Sequence, residues 1–227
     1  MSLRYPAVLD EASTLQRVCE GASIARYGDG EFKICRGASI KSQAFDPRLS
    51  QRLREILWSP RRGLLVGIPN ILSPTPKADF WRGYTGYADL LTDRPYASSF
   101  ITRPDSAPWI DTPAYWSALA SLWVGQHVTL VRGSTKSLIA DDLVGAKSVT
   151  EIVCPRQHAW SEYDRLLARV CSVSRARVLL CCGPTATVLA ADLEAVRLHA
   201  IDLGHVGLFW HKRQRGELLG LTKEDKA

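Results

Sequence analysis

Three short stretches combine residue types that could do chemistry. The first is Arg26-Tyr27-Gly28-Asp29-Gly30-Glu31. In an extended chain, carboxylates two positions apart project to the same side. They repel each other unless a positive charge lies between them. A hard divalent cation, Mn2+ or Mg2+, suits that pair, because it prefers oxygen and takes one or two protein carboxylates together with substrate phosphates. Gly28 and Gly30 would permit a tight turn and close approach of a ligand, and Arg26 could contact the same anion. The same residues also read as a glycine-rich turn whose acids cap a following helix.

The second stretch is Cys182-Gly183-Pro184-Thr185-Ala186-Thr187. An apolar run enters Gly183, and Pro184 stands where a first helical residue belongs. Free N–H groups at a helix start bind phosphate well, and Thr185 could cap the helix or donate to a ligand. A well-made strand–helix junction explains the same residues without a ligand. The third stretch is Ala200-Ile201-Asp202-Leu203-Gly204-His205. Asp202 or His205 could act as a general base; equally, the Asp could hold a turn and the His satisfy carbonyls. Arg103 and Lys136 each follow a strand pattern and could clamp a diphosphate, or serve as surface charges.

These residues need a frame. Apolar runs rich in β-branched residues predict strands at Ser23–Tyr27, Leu64–Ile68, Ala97–Ile101, His127–Arg132, Ser148–Val153, Arg177–Cys182 and Ala200–Leu203. Helical patterns lie at Glu11–Cys19, Pro47–Trp58, Ala78–Leu91, Thr112–Val124, Ala159–Cys171 and Thr185–Arg197. The alternation predicts an α/β fold, a mainly parallel sheet with helices on both faces. In such folds the loops after strands assemble the ligand site, and each of the three stretches ends a strand.

With 227 residues and 46% hydrophobic content, the chain suits one domain. No charged start followed by an apolar run marks a signal peptide, and no apolar run is long enough to span a bilayer. A cytoplasmic location is expected. The six cysteines contain no C-x-x-C pair and read as reduced, buried side chains. A net charge of +6 and a pI near 9.1 favour anionic partners, including the inner face of a membrane. The one dense basic cluster, His211 to Arg215, reads as a solvated C-terminal tail from about 211. Nucleic-acid binding wants aromatics interleaved with clustered Lys and Arg, and with this single cluster nucleic acid is not an expected partner.

The segments Ala25–Glu31, Ile101–Pro104, Val153–Pro155 with Tyr163-Asp164, Gly183–Ala190 with Asp192-Leu193, and Ala200–His205 occur in one order over most of the chain. In this the chain resembles the bacterial GT-D glycosyltransferases. The resemblance implies a Rossmann-like sheet, a UDP-sugar donor, a metal-holding D-x-E pair at Asp29 and Glu31, and a glycan, lipid-linked or glycoprotein acceptor in cell-surface assembly. One departure stands out. The family pattern continues past the Gly-His pair with acids, whereas this chain reads Val206-Gly207-Leu208-Phe209-Trp210-His211. The base for an inverting transfer is therefore expected at Asp202 or His205, with Glu217 or His211 next. Two other readings compete: a nucleotide-sugar-binding module without a base, and an S-adenosylmethionine-dependent methyltransferase.

Overall fold

The computed structural model describes residues 5–59, 61–73, 75–134, 136–173 and 177–220. Thr135, in the stretch before Lys136, lies outside them. The elements run α1 (Glu11–Cys19), β1 (Ser23–Arg26), α2 (Asp29–Cys35), α3 (Pro47–Trp58), β2 (Leu64–Ile68), α4 (Ala78–Arg82), β3 (Ala97–Ser98), α5 (Pro113–Ala120), β4 (His127–Arg132), β5 (Ser148–Val153), α6 (Tyr163–Val173), β6 (Arg177–Cys181), α7 (Pro184–Ala195), β7 (His199–Asp202) and α8 (Val206–Gln214). All strand pairs are parallel, in the order β3-β2-β1-β7-β6-β4-β5. The fold is α/β, as the alternation predicts.

Local chemistry explains most boundaries. Asp46 caps α3 by accepting from the Leu49 N–H at 2.9 Å, and Pro47 fills the first helical position. Asp10 and Thr112 cap α1 and α5 in the same way. The departures also have causes. The strand expected over Ala97–Ile101 stops at Ser98, whose hydroxyl accepts the Phe100 N–H and turns the chain into a 3-10 helix, Ser99–Thr102. The single helix expected over Ala78–Leu91 becomes α4 followed by a 3-10 helix, Gly83–Leu90. Gly83 and Gly86 both weaken an α-helix there. The helix expected from Ala159 starts as a 3-10 turn, Ala159–Glu162, before α6, and α5 ends four residues early, at Ala120. The segment from 211, expected as a tail, is helical to Gln214. His211 bonds Asp142 at 2.8 Å, Lys212 is buried, and Arg213 lies over Trp116.

The core is continuous. α7 packs on β1 and β7, with α3 and α6 against it. α1 meets α5, and Trp116 and Trp123 both contact Trp210 of α8 edge to face. Strand order reverses beside β1, so the loops after the carboxyl ends of β1, β7, β6 and β4 open onto one crevice. Among the described residues, no helix is long and apolar enough to cross a membrane.

Candidate active site

A cleft of about 560 Å3 lies along the carboxyl edge of the sheet. The site residues expected from the sequence line it except Thr185, which is fully buried, and the two reserve bases His211 and Glu217. The convergence follows from topology: each of these residues comes just after a parallel strand, and parallel strands deliver such loops to the same edge.

The two acids are not disposed as an extended strand would have them. Asp29 and Glu31 are the first and third residues of α2, about 200° apart around the helix axis. Glu31 reaches back to accept the Gly28 N–H at 2.8 Å, capping the helix. Asp29 accepts from Tyr84 Oη and Lys33 Nζ, both at 2.7 Å. Burial pushes the Glu31 carboxyl up to about 7, with the neighbouring Asp202 adding to the effect and the Gly28 N–H opposing it. It is a desolvated acid that lacks full compensation. Two oxygen-donor acids on one cleft fit a hard cation that completes its shell with water and phosphate. Among the described residues, no group of three His, Cys, Asp or Glu side chains gathers as a fuller metal site. Lys33 would have to yield Asp29, and that pair is exposed and easily exchanged.

Arg26 does not reach out toward a ligand. It is 9% exposed. Its Nε donates to the Asp202 carbonyl at 2.6 Å, and its Nη1 donates to the Ser99 carbonyl at 2.9 Å and to Thr102 Oγ1. Asp202 is equally committed. Its carboxylate accepts from Arg26 N, Thr187 Oγ1 and Gly204 N at 3.1–3.4 Å and faces Arg26 Nη2 at 3.5 Å. Burial raises its pKa, while Arg26 pulls it down. The pair ties the ends of β1 and β7 to the loop after β3, which leaves Asp202 poorly placed to act as a base.

Arg103 is better placed for an anion. The buried carboxylate of Asp105 grips it with two bonds, 2.7 and 2.8 Å, and also holds Lys77. Arg103 lies over the Trp81 ring at 5.8 Å. Its two cations hold the Asp105 carboxyl below its usual range despite burial. Lys136 enters from the loop after β4. Gly183 caps α7 at φ 61°, ψ −146°, a region open almost solely to glycine. The start of α7 thereby faces the cleft. Thr185 does not share in this: its hydroxyl is buried with no hydrogen-bond partner.

His205 is exposed to the cleft at the foot of α8. The walls around it strip away part of its water, and Arg103 and Arg26 add positive charge, which together depress its pKa to about 4. The ring is neutral at physiological pH and able to accept a proton. Gly207 backs this wall closely, because a Cβ there would collide with the backbone of Ser137 and Leu138.

Several lining residues escaped the sequence reading: Lys41, Ser42, Arg156 and Gln157, and Asp105 behind Arg103. Asp105 had a signal, an acid two residues after a strand-end arginine. The others sit in loops with no motif of their own.

A model of the glycosyltransferase GT-D fold matches residues 24–216, from the first sheet strand to past α8. The chain belongs to the GT-D glycosyltransferase family. Two curated relatives agree. "Probable glycosyl transferase Gly" of Streptococcus gordonii is 31% identical over 220 residues, 89% of this chain and 32% of the relative. "Glycosyltransferase GlyD" of Streptococcus pneumoniae serotype 4 is 30% identical over 210 residues, 85% of this chain and 26% of the relative. The chain thus spans about a third and a quarter of those longer proteins. Among solved structures, one described as the highly conserved domain of unknown function 1792 with a distinct glycosyltransferase fold superposes with TM-score 0.86 at 32% identity, covering 97% of this chain and 86% of that one. A glycosyltransferase of the same domain class from Streptococcus sanguinis gives 0.84 at 31% identity, covering 93% of this chain and 86% of its own. Membership in the GT-D family sets the methyltransferase reading aside.

Proposed function

We propose that this GT-D domain moves a sugar from a UDP-sugar to an acceptor hydroxyl, with Mn2+ or Mg2+ held by Asp29 and Glu31. One observation carries the reading: two oxygen-donor acids, two cations and a helix start meet in a single cleft. Cleavage of a sugar–diphosphate bond builds negative charge on the leaving phosphate. A bound cation would supply Lewis-acid stabilisation of that charge. Arg103, already oriented by Asp105, and Lys136 add fixed positive charge. The head of α7, where Gly183 and Pro184 line the cleft, adds the positive end of the helix dipole.

His205 takes the proton from the attacking hydroxyl in an inverting course, since it is neutral and open to the cleft while Asp202 is engaged with Arg26. Arg26 and Asp202 act by holding three strand ends in place. The acceptor is a glycan, lipid-linked or glycoprotein hydroxyl of cell-surface assembly, met on the cytoplasmic side of the membrane.

Calorimetry with UDP tests the donor site. Affinity should rise at least about tenfold from chelator to Mn2+, the scale of one charge-assisted contact. Asp29→Asn or Glu31→Gln should erase the rise. Equal affinity in both buffers would sink the cation's role. Release of free sugar from UDP-sugars without any transfer to an acceptor would point to a module lacking its base.

A further inference from the structure

We propose that the two carboxylate oxygens of Asp29 have separate roles: Tyr84 is a positioning residue that fixes Oδ1, and Lys33 is a placeholder on Oδ2 that a divalent cation displaces. This rests on the donor reading above and adds how the grip on the cation is set.

Asp29 opens α2, and its side chain is 41% exposed. A half-exposed acid at a helix start turns freely unless it is tied. Two donors tie it, one to each oxygen. Tyr84 Oη donates to Oδ1 at 2.7 Å, and Lys33 Nζ donates to Oδ2 at 2.7 Å. The two donors differ in how readily they let go. Lys33 stands four residues along the same helix with its side chain 46% exposed, and such surface pairs are weak and exchange with water. Tyr84 is buried and comes from a different element, the 3-10 helix Gly83–Leu90.

The Tyr84 ring is fixed by its neighbours. It meets Phe32 of α2 edge to face at 5.9 Å, and lies 4.9 Å from Trp81 and 5.5 Å from Tyr87. In a 3-10 helix, side chains three apart eclipse, so Tyr84 and Tyr87 both reach Phe32, the latter stacked on it at 5.0 Å. At the far end of α2, Arg36 donates to the Gly86 carbonyl at 3.2 Å, bonds Asp89, and lies over the Tyr87 ring at 5.8 Å. The 3-10 helix is thus fastened along the length of α2, and the Tyr84 hydroxyl is a fixed point beside Asp29.

A carboxylate whose second oxygen is held by a hydrogen bond is a better metal ligand, because it is already oriented and loses less freedom on binding. With Oδ1 held by Tyr84, Oδ2 is the oxygen left for a cation. Lys33 already keeps a positive charge on that oxygen, and its exposed ammonium can swing into water when a cation takes the place. Tyr84 therefore supports cation binding and Lys33 competes with it. The two residues act on one affinity with opposite signs.

The test reads binding, not turnover. UDP is titrated by calorimetry into wild type, Tyr84→Phe and Lys33→Gln, in chelator and in saturating Mn2+, well below the melting temperature of all three. The gain in UDP affinity from chelator to Mn2+ measures the grip on the cation. Tyr84→Phe keeps the ring and its aromatic contacts, yet should cut that gain by about tenfold, the scale of losing a partner that orients a metal ligand. Its UDP affinity in chelator should stay within about twofold of wild type. Lys33→Gln should enlarge the gain by about two- to fivefold, the scale of a surface ion pair. An unchanged gain in Tyr84→Phe overturns the positioning role. So does an equal loss of UDP affinity in chelator, which would mean that Tyr84 only shapes the cleft. A gain in Lys33→Gln that is unchanged or smaller overturns the placeholder. If wild type itself shows no gain, the donor reading fails and takes this proposal with it; a wild-type gain that both variants keep overturns this proposal alone.

Discussion

A Cβ on Gly204 would fall on the guanidinium of Arg26. Gly204 holds φ 50° just past β7, and the bare backbone there lets Arg26 pass from β1 to the carbonyl of Ser99. The Arg26–Asp202 pair exists only because this space is open. Gly204→Ala should therefore destabilise the fold through both strain and collision. Asp202→Asn should cost about 2–3 kcal/mol, below the usual 3–5 for breaking a buried pair, because main-chain carbonyls still receive the guanidinium. Urea unfolding measures both. If Asp202→Asn keeps full stability but loses activity, Asp202 acts on substrate and the structural assignment is wrong.

Glu31 should make stability depend on pH. Its ordinary value is 4.5 and its folded value about 7. Below about 4.5 it is protonated in both states. As pH rises toward 7, the unfolded chain ionises it freely and the folded chain resists, so stability falls across that window and the penalty is complete above it. The upper bound is about 3 kcal/mol, lessened by cleft water. In metal-free buffer, Glu31→Gln should be the more stable protein at pH 8 and equal to wild type near pH 4. Equal urea midpoints at pH 8 would show that the carboxylate is well solvated.

Gly183 carries a backbone that side chains resist, yet a Cβ there meets no atom within 4 Å. Gly183→Ala should thus cost about 1–3 kcal/mol from conformation alone. A bulkier Gly183→Val would project into the cleft and should weaken UDP binding beyond its effect on stability. An alanine variant that melts like wild type would mean the turn relaxes without strain.

His205→Ala should lower turnover by about 10²-fold with little change in UDP affinity. Because desolvation and nearby cations lower the ring to about 4, the acid limb of the rate profile should fall near that pH in saturating Mn2+, which keeps Glu31 ionised, and activity should then be level from 6 to 8. An acid limb near 7 would instead implicate Glu31 as the proton acceptor.

Read alone, the sequence determined the α/β alternation and which strand ends meet at the cleft. β2, β4, β5, α1 and α3 run over the same residues that hydrophobic period and capping predict. Such signals are local: an apolar run, a proline at a helix start and an aspartate before it act within a few residues. The gathering of Asp29, Glu31, Arg103, Lys136, Gly183 and His205 also followed, because parallel strands send their next loops to one edge. Only the tertiary structure decided which partners each group has there. Arg26 and Asp202 lie 176 positions apart, and Asp29 and Tyr84 lie 55 apart. Nothing local marks those partners. Whether a charged side chain is free for a ligand or committed to the fold depends on which distant groups surround it, and the packing of the whole chain sets those surroundings.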